Sequence, residues 1–269
     1  LEKYHGTDTF LSEALTIEAM KALDDAQQTD KPFFLYMAHY AIHTPIQPDM
    51  RFYQKYLDKG LPPVEAAYAT LIEGMDKSLG DIMDYLDKNN LTENTILIFM
   101  SDNGGLAAHT RAGQLHVQNY PLNSGKGSAY EGGIREPMIV RWPGRIPAGS
   151  VSNQLMSNVD MLATLAALTG YELQEQDGPD SFNMLPALIG NPGKMIRDHI
   201  IICPSQKSHL SIRKGKWVYI PAQNSGGFTG KNVGDHDLGG ASAFQLTHRV
   251  NSDIETVSYT HLRAHETEA

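Results

Sequence analysis

From position 10 to 28 the apolar residues Leu11, Leu15, Ala19, Leu23 and Ala26 recur every three or four positions, which predicts one buried helical stripe ending before Pro32. The next run, Phe33-Phe34-Leu35-Tyr36-Met37-Ala38, is continuous rather than periodic. It predicts a strand buried on both faces, closed into a loop by Pro45 and Pro48. Positions 64 to 90 place Tyr68, Leu71, Ile72, Met75, Leu79, Ile82 and Leu86 on one face, the strongest helical pattern in the chain, and Asn89-Asn90 ends it. Further apolar strands are predicted over 95–100 and 138–142, the latter stopped by Pro143-Gly144 and Pro147. Asn158 is placed to cap a helix running to Leu168, with Gly170 at its C-terminus. Past Pro192 the runs 200–203, 210–213 and 217–220 are short, β-like and separated by turns.

Helices alternating with strands predict an α/β fold: a mostly parallel sheet flanked by helices, followed by a small C-terminal antiparallel β subdomain. The boundaries read as 1–195 for the main domain and 196–256 for the subdomain. The last residues, VSYTHLRAHETEA, carry no apolar period and resemble translated sequencing adapter, so 257–269 is set aside as a non-native tail together with His261 and His265. Residue 1 is Leu and no secretion signal precedes the first helix, so the expectation is a fragment lacking upstream sequence.

Charge narrows the partners. With 22 Lys and Arg against 31 Asp and Glu, the net charge of −9 lacks the basic surface that nucleic acid demands. No apolar run approaches the ~18 residues of a membrane span. The single cysteine, Cys203, excludes an internal disulfide framework and a cysteine-built zinc site, and its apolar neighbours predict a core position.

Candidate chemistry sits after the strands, where open α/β sheets place their ligands. Ser101-Asp102-Asn103-Gly104-Gly105 follows the best strand. Asp102 and Asn103 offer hard oxygens suited to Ca²⁺ or Mg²⁺, although the same residues also make ordinary turns. Ala41-Ile42-His43-Thr44-Pro45 follows the first strand and brings an imidazole, while His39 within that strand reads as a packed or interface residue. In Asn123-Ser124-Gly125-Lys126-Gly127-Ser128, glycines on both sides of Lys126 let an ammonium approach an anion closely, yet the spacing is not that of a phosphate-binding P-loop. The stretch 106–120, with His109, Arg111 and His116, reads as a solvated loop or as a substrate reader.

Taken together, FFLYMAHYAIHTP, TILIFMSDNGG and PLNSGKGSAYEGGIREP resemble, in order and spacing, the second half of a sulfatase catalytic domain of the alkaline-phosphatase superfamily. The resemblance runs from about Thr9 to Glu255 through SNVDMLATLAALTG and SIRKGKWVYIP. It implies that Asp102 and Asn103 bind a divalent metal, usually Ca²⁺ with Mg²⁺ as the alternative. Lys126 then contacts the sulfate and the leaving oxygen, and His43 hydrogen-bonds the sulfate; either could protonate the leaving group. A cation, an ammonium and an imidazole offset the charge that builds as an S–O bond breaks.

The family's upstream aspartate pair and its Cys/Ser-x-Pro-x-Arg signature, source of the formylglycine nucleophile, do not occur in these residues; Cys203-Pro204-Ser205-Gln206 lacks both the spacer and the arginine. The resemblance therefore implies a sulfuric ester hydrolase, arylsulfatase-like, whose visible portion is inactive alone. Its substrate would be a sulfated small molecule or polysaccharide, and its location periplasmic or secreted. Two alternatives stay open: a phosphate or phosphonate monoester hydrolase of the same superfamily, and a non-catalytic binding protein on this fold.

Overall fold

The computed structural model describes residues 1–29, 31–105, 119–190, 193–222 and 225–227, together with the backbone of 245–250 and 253–258. The chain divides into two compact units, Leu1–Thr95 and Ile96–Ala269.

In the first unit, α1 (Leu11–Gln27) and α3 (Pro63–Lys88) occupy the two predicted helical spans. Pro63 opens α3, where its missing N–H costs nothing. The seam between them is built from small residues, Ser12, Ala14, Thr16 and Ala19 facing Ala66, Ala67, Thr70, Gly74 and Ser78, all tightly buried or hydrogen-bonded, so the two backbones approach closely. Two of its hydroxyls are paired: Thr16 Oγ1 donates to Ser12 O at 2.7 Å and lies 2.5 Å from Ser78 Oγ.

Between them lies α2 (Met50–Asp58), an element the periodicity above does not announce. Asp49, fully buried, caps it by accepting from Arg51 N at 3.1 Å, and its own N–H donates to Thr70 Oγ1 on α3 at 2.9 Å. Arg51 then reaches Glu13 on α1 at 3.0 Å. A cap and two tertiary anchors hold a helix too short to be stable by propensity.

The strand predicted over 33–38 is not formed as such. Burial alternates along it: Phe33, Leu35, Met37 and His39 are half-buried, whereas Phe34, Tyr36 and Tyr40 are 76%, 80% and 66% exposed. A strand buried on both faces needs neighbours in a sheet, and among the described residues none pairs with this segment, so alternate side chains face outward.

In the second unit, β1 (Leu97–Met100) pairs antiparallel with β2 (Met138–Arg141), from Leu97↔Arg141 to Met100↔Met138. The one-turn helix α4 (Glu131–Ile134) precedes β2. A 3-10 turn, Asn158–Asp160, leads into α5 (Met161–Thr169), and α6 (Leu185–Leu188) follows. The residue capping this turn is Ser157, which forms a capping box with Asp160; Asn158 instead donates its side-chain amide to Ser101 O at 3.3 Å. Gly170 ends α5 at φ +72°, as predicted. Asp160 is held by Arg197 at 2.6 and 3.0 Å, and it also accepts from Ser157 N and Phe182 N, so this buried pair leaves no carboxylate oxygen unsatisfied.

The C-terminal sheet has the order β3 (His199–Ile202), β4 (Ser211–Lys214), β5 (Trp217–Tyr219), β6 (Gln245–Val250) and β7 (Asp253–Ser258), antiparallel throughout. The three short runs predicted past Pro192 are β3 to β5. Every pairing among the described residues is antiparallel, so the mostly parallel sheet inferred from helix–strand alternation is not what these strands form. Alternation alone cannot fix strand direction, because a reversing loop and a helical crossover can carry the same apolar pattern. Strand β7 includes Val257 and Ser258 of the segment set aside as non-native; 259–269 lies outside the described residues. Ile202, Val218 and Ile220 pack their inward face on Ala129 and Tyr130, which ties the sheet to the lysine-bearing loop. Cys203, expected in the core, is exposed: it follows inward-facing Ile202 at the end of β3, and the pleat turns it outward.

Candidate active site

The ladder β1–β2 continues one step past its last pair, with Ser101 N donating to Pro137 O at 3.4 Å. By the same register Asp102 stands opposite Glu136, just beyond the strand ends. The chain then turns through Gly104, whose N–H donates to Gly133 O at 3.0 Å. Here glycine is obligatory, since a Cβ on Gly104 would lie 1.9 Å from Gly132 O. Gly132 and Gly133 in turn sit against the carbonyls of Ser124 and Gly125, where added Cβ atoms would come within 2.3 and 2.5 Å. Three backbone stretches thus pack directly on one another, with no side chains between them.

Lys126 N completes the contact by donating to Gly105 O at 3.0 Å. From behind, Ser205 N donates to Gly127 O at 2.9 Å and Ala129 N to Ser225 O at 2.7 Å. The second unit therefore brings Asp102, Asn103 and Lys126 onto adjoining loops. The Lys126 side chain is half-buried and forms no ion pair among the described residues.

Asn103 Nδ2 donates to Gly104 O at 3.0 Å, so its side-chain carbonyl oxygen is the atom that could ligate a cation. Asp102 is exposed. Glu136 is half-buried, and its carboxyl is pushed up to about 7, first by burial and then by the charge of Asp102. The donors fit a hard dication in kind, being carboxylate and amide oxygens in a region of accumulated negative charge. They are a part of the ~6–8 oxygens that Ca²⁺ takes. Among the described residues no group of three or more His, Cys, Asp or Glu forms a complete metal site. Glu136 escaped the sequence reading; its signal was arithmetic, since it lies two residues before β2 as Asp102 lies two after β1.

His43 belongs to the first unit. It is exposed, its backbone N–H donates to Tyr40 O at 2.9 Å, and its ring Nδ1 lies 2.8 Å from Thr44 O. A carbonyl only accepts, so Nδ1 carries the proton, and Nε2 becomes a donor when the ring is cationic. His39 is a packed residue: Nε2 lies 3.1 Å from Ser78 Oγ, and burial lowers its pKa. His109, Arg111 and His116 lie outside the described residues.

Residues 2–171 match the sulfatase family. The chain is 37% identical over 197 residues to the N-acetylgalactosamine-6-O-sulfatase of Bacteroides thetaiotaomicron, covering 71% of this chain and 37% of that protein. It is 31% identical over 245 residues to the N-acetylgalactosamine-6-sulfatase of Homo sapiens, covering 86% and 44%. Among solved structures, Ps i-CgsB is 30% identical with a TM-score of 0.74 over 96% of this chain and 53% of that one. Its complex with k-i-k-neocarrahexaose gives 29% and 0.73. The chain spans less than half the length of these curated relatives. By sequence and by fold, it belongs to the sulfatase family.

Proposed function

We propose that this chain forms part of a hydrolase that cleaves sulfate esters of carbohydrates, with Asp102 and Asn103 holding a divalent cation and Lys126 and His43 binding the sulfate. The observation that supports this reading is the direct backbone contact between the Asp102-Asn103 loop and the Lys126 loop, which makes neighbours of the segments that carry the two oxygen ligands and the ammonium. The relatives' names support a sugar sulfate as substrate.

When bound, a Ca²⁺ at Asp102 and Asn103 supplies charge stabilisation to the oxyanion. The Lys126 ammonium neutralises charge on the transferring group, and its half-buried position strengthens that attraction relative to water. A cationic His43 donates from Nε2 to a sulfate or leaving oxygen while Thr44 O holds Nδ1. No Cys/Ser-x-Pro-x-Arg sequence occurs in the 269 residues, so in this reading the formylglycine nucleophile comes from outside them.

Calorimetric titration of the chain with Ca²⁺ tests the cation site. Asp102→Asn is expected to weaken binding by roughly tenfold or more, since it removes the charged donor; equal affinity in the variant would refute the site. Turnover of a chromogenic aryl sulfate by this chain alone would refute the external nucleophile.

A further inference from the structure

We infer that Asn119 is the positioning residue that fixes the spacing between the Asp102-Asn103 loop and the Lys126 loop. This rests on the cation reading above for its consequence, though its geometry does not. The side-chain amide of Asn119 donates both of its hydrogens, one to Gly105 O at 2.7 Å and one to Ser124 O at 2.9 Å. The first carbonyl belongs to the cation loop and the second to the lysine loop. Gly105 O also accepts the N–H of Lys126 at 3.0 Å, so one oxygen receives the clamp and the lysine backbone together.

The lysine loop is shaped to meet this amide. Ser124 is 2% exposed and adopts φ +64°, a conformation that few residues other than glycine take up. Its carbonyl also abuts Gly132 so closely that a Cβ there would lie 2.3 Å away. Returning Ser124 to an ordinary φ would swing that oxygen off Asn119. Among side chains of this length only asparagine carries two N–H donors on one atom; serine offers one, and ionised aspartate offers none. Neither carbonyl lies in a helix or strand, so no ladder would replace the lost bonds.

The test uses the full 269-residue chain with the substitutions Asn119→Ala, Asn119→Ser and Asp102→Asn. Two quantities are read: terbium affinity by sensitised luminescence, and the acetylation rate of Lys126 relative to Lys77 and Lys214 by mass spectrometry, with thermal unfolding run in parallel. Asn119→Ala is expected to weaken terbium binding about 5- to 20-fold, the equivalent of two modest hydrogen bonds. It should also raise Lys126 labelling at least about twofold while the two reference lysines keep their rates, a selective change that general destabilisation would not produce. Asn119→Ser, which keeps one donor, should fall between, and it carries the test if the alanine variant does not fold. Lys126 labelling that stays at the wild-type rate in a folded Asn119 variant would overturn the inference. If Asp102→Asn leaves terbium affinity unchanged, the cation reading fails instead, and the labelling arm alone decides the clamp.

Discussion

The α1–α3 seam of the first unit and the loop cluster of the second both bring backbones unusually close, and both use glycine to do so, yet they differ in what stands opposite. At Gly74 an added Cβ would meet side-chain atoms, Ser12 Oγ at 2.8 Å, the far end of a rotatable side chain, and Asp49 Oδ2 at 3.3 Å. At Gly104 it would meet the carbonyl oxygen of Gly132 at 1.9 Å, a backbone atom held on both sides by other loops. A helical seam can adjust by turning a side chain. A cluster of stacked backbone segments has nothing to turn, which is why it can hold functional groups in one geometry.

The same substitution in the two places measures that difference. Gly104→Ala is expected to destabilise the second unit by about 3 kcal/mol or more, at or beyond the upper end of overpacking costs, and to abolish calcium binding; urea unfolding and calorimetry read both. Gly74→Ala should change stability by less than about 1 kcal/mol, because the better helix propensity of alanine offsets the displaced serine. A Gly74 variant as damaged as the Gly104 variant would erase the distinction.

Acid and base responses should also separate the units. Burial lowers the pKa of His39, so the unfolded chain binds the proton more readily. The stability of the first unit is then complete above about pH 6.5 and falls as pH drops through that value toward the folded pKa. Glu136 is opposite in sign. Its folded value of about 7 exceeds the ordinary glutamate value of 4.5, so its contribution is complete below 4.5 and is lost as pH rises through 7. In thermal melts from pH 4 to 8, His39→Gln should remove the loss that sets in below about pH 6.5, and Glu136→Gln the loss between pH 4.5 and 7. The smallest effect is expected at the exposed pair Lys77–Asp81, 2.6 Å apart and one helical turn separated, where Lys77→Ala should cost about 0.3–0.5 kcal/mol.

Much of this was legible in the residues. The spans of α1 and α3, the positions of β1 to β5 and the αL glycine ending α5 follow from periodicity and turn chemistry, because these depend on neighbours a few residues away. The periodicity does not announce helix α2 although Asp49 and Gly60 mark its ends; it is held by Asp49 to Thr70 and by Arg51 to Glu13, contacts that no local window contains. Asp102, Asn103 and Lys126 could be nominated from their motifs. Glu136 and Asn119 could not, since one matters through strand register and the other through bonds to carbonyls 14 residues before and five residues after it.

By itself, then, the sequence determined the spans of α1, α3 and α5, most of the strands, the family and the candidate residues proposed to meet an anion and a cation. Tertiary structure alone decided the antiparallel pairing of β1 with β2, the exposure of Cys203 and of the aromatic side chains at 34, 36 and 40, and the meeting of the Asp102-Asn103 loop with the lysine loop. The physical reason is range: periodicity and capping are set by side chains within a turn or two. Strand direction, burial and loop contact depend instead on backbone hydrogen bonds and steric clearances between segments far apart in the chain.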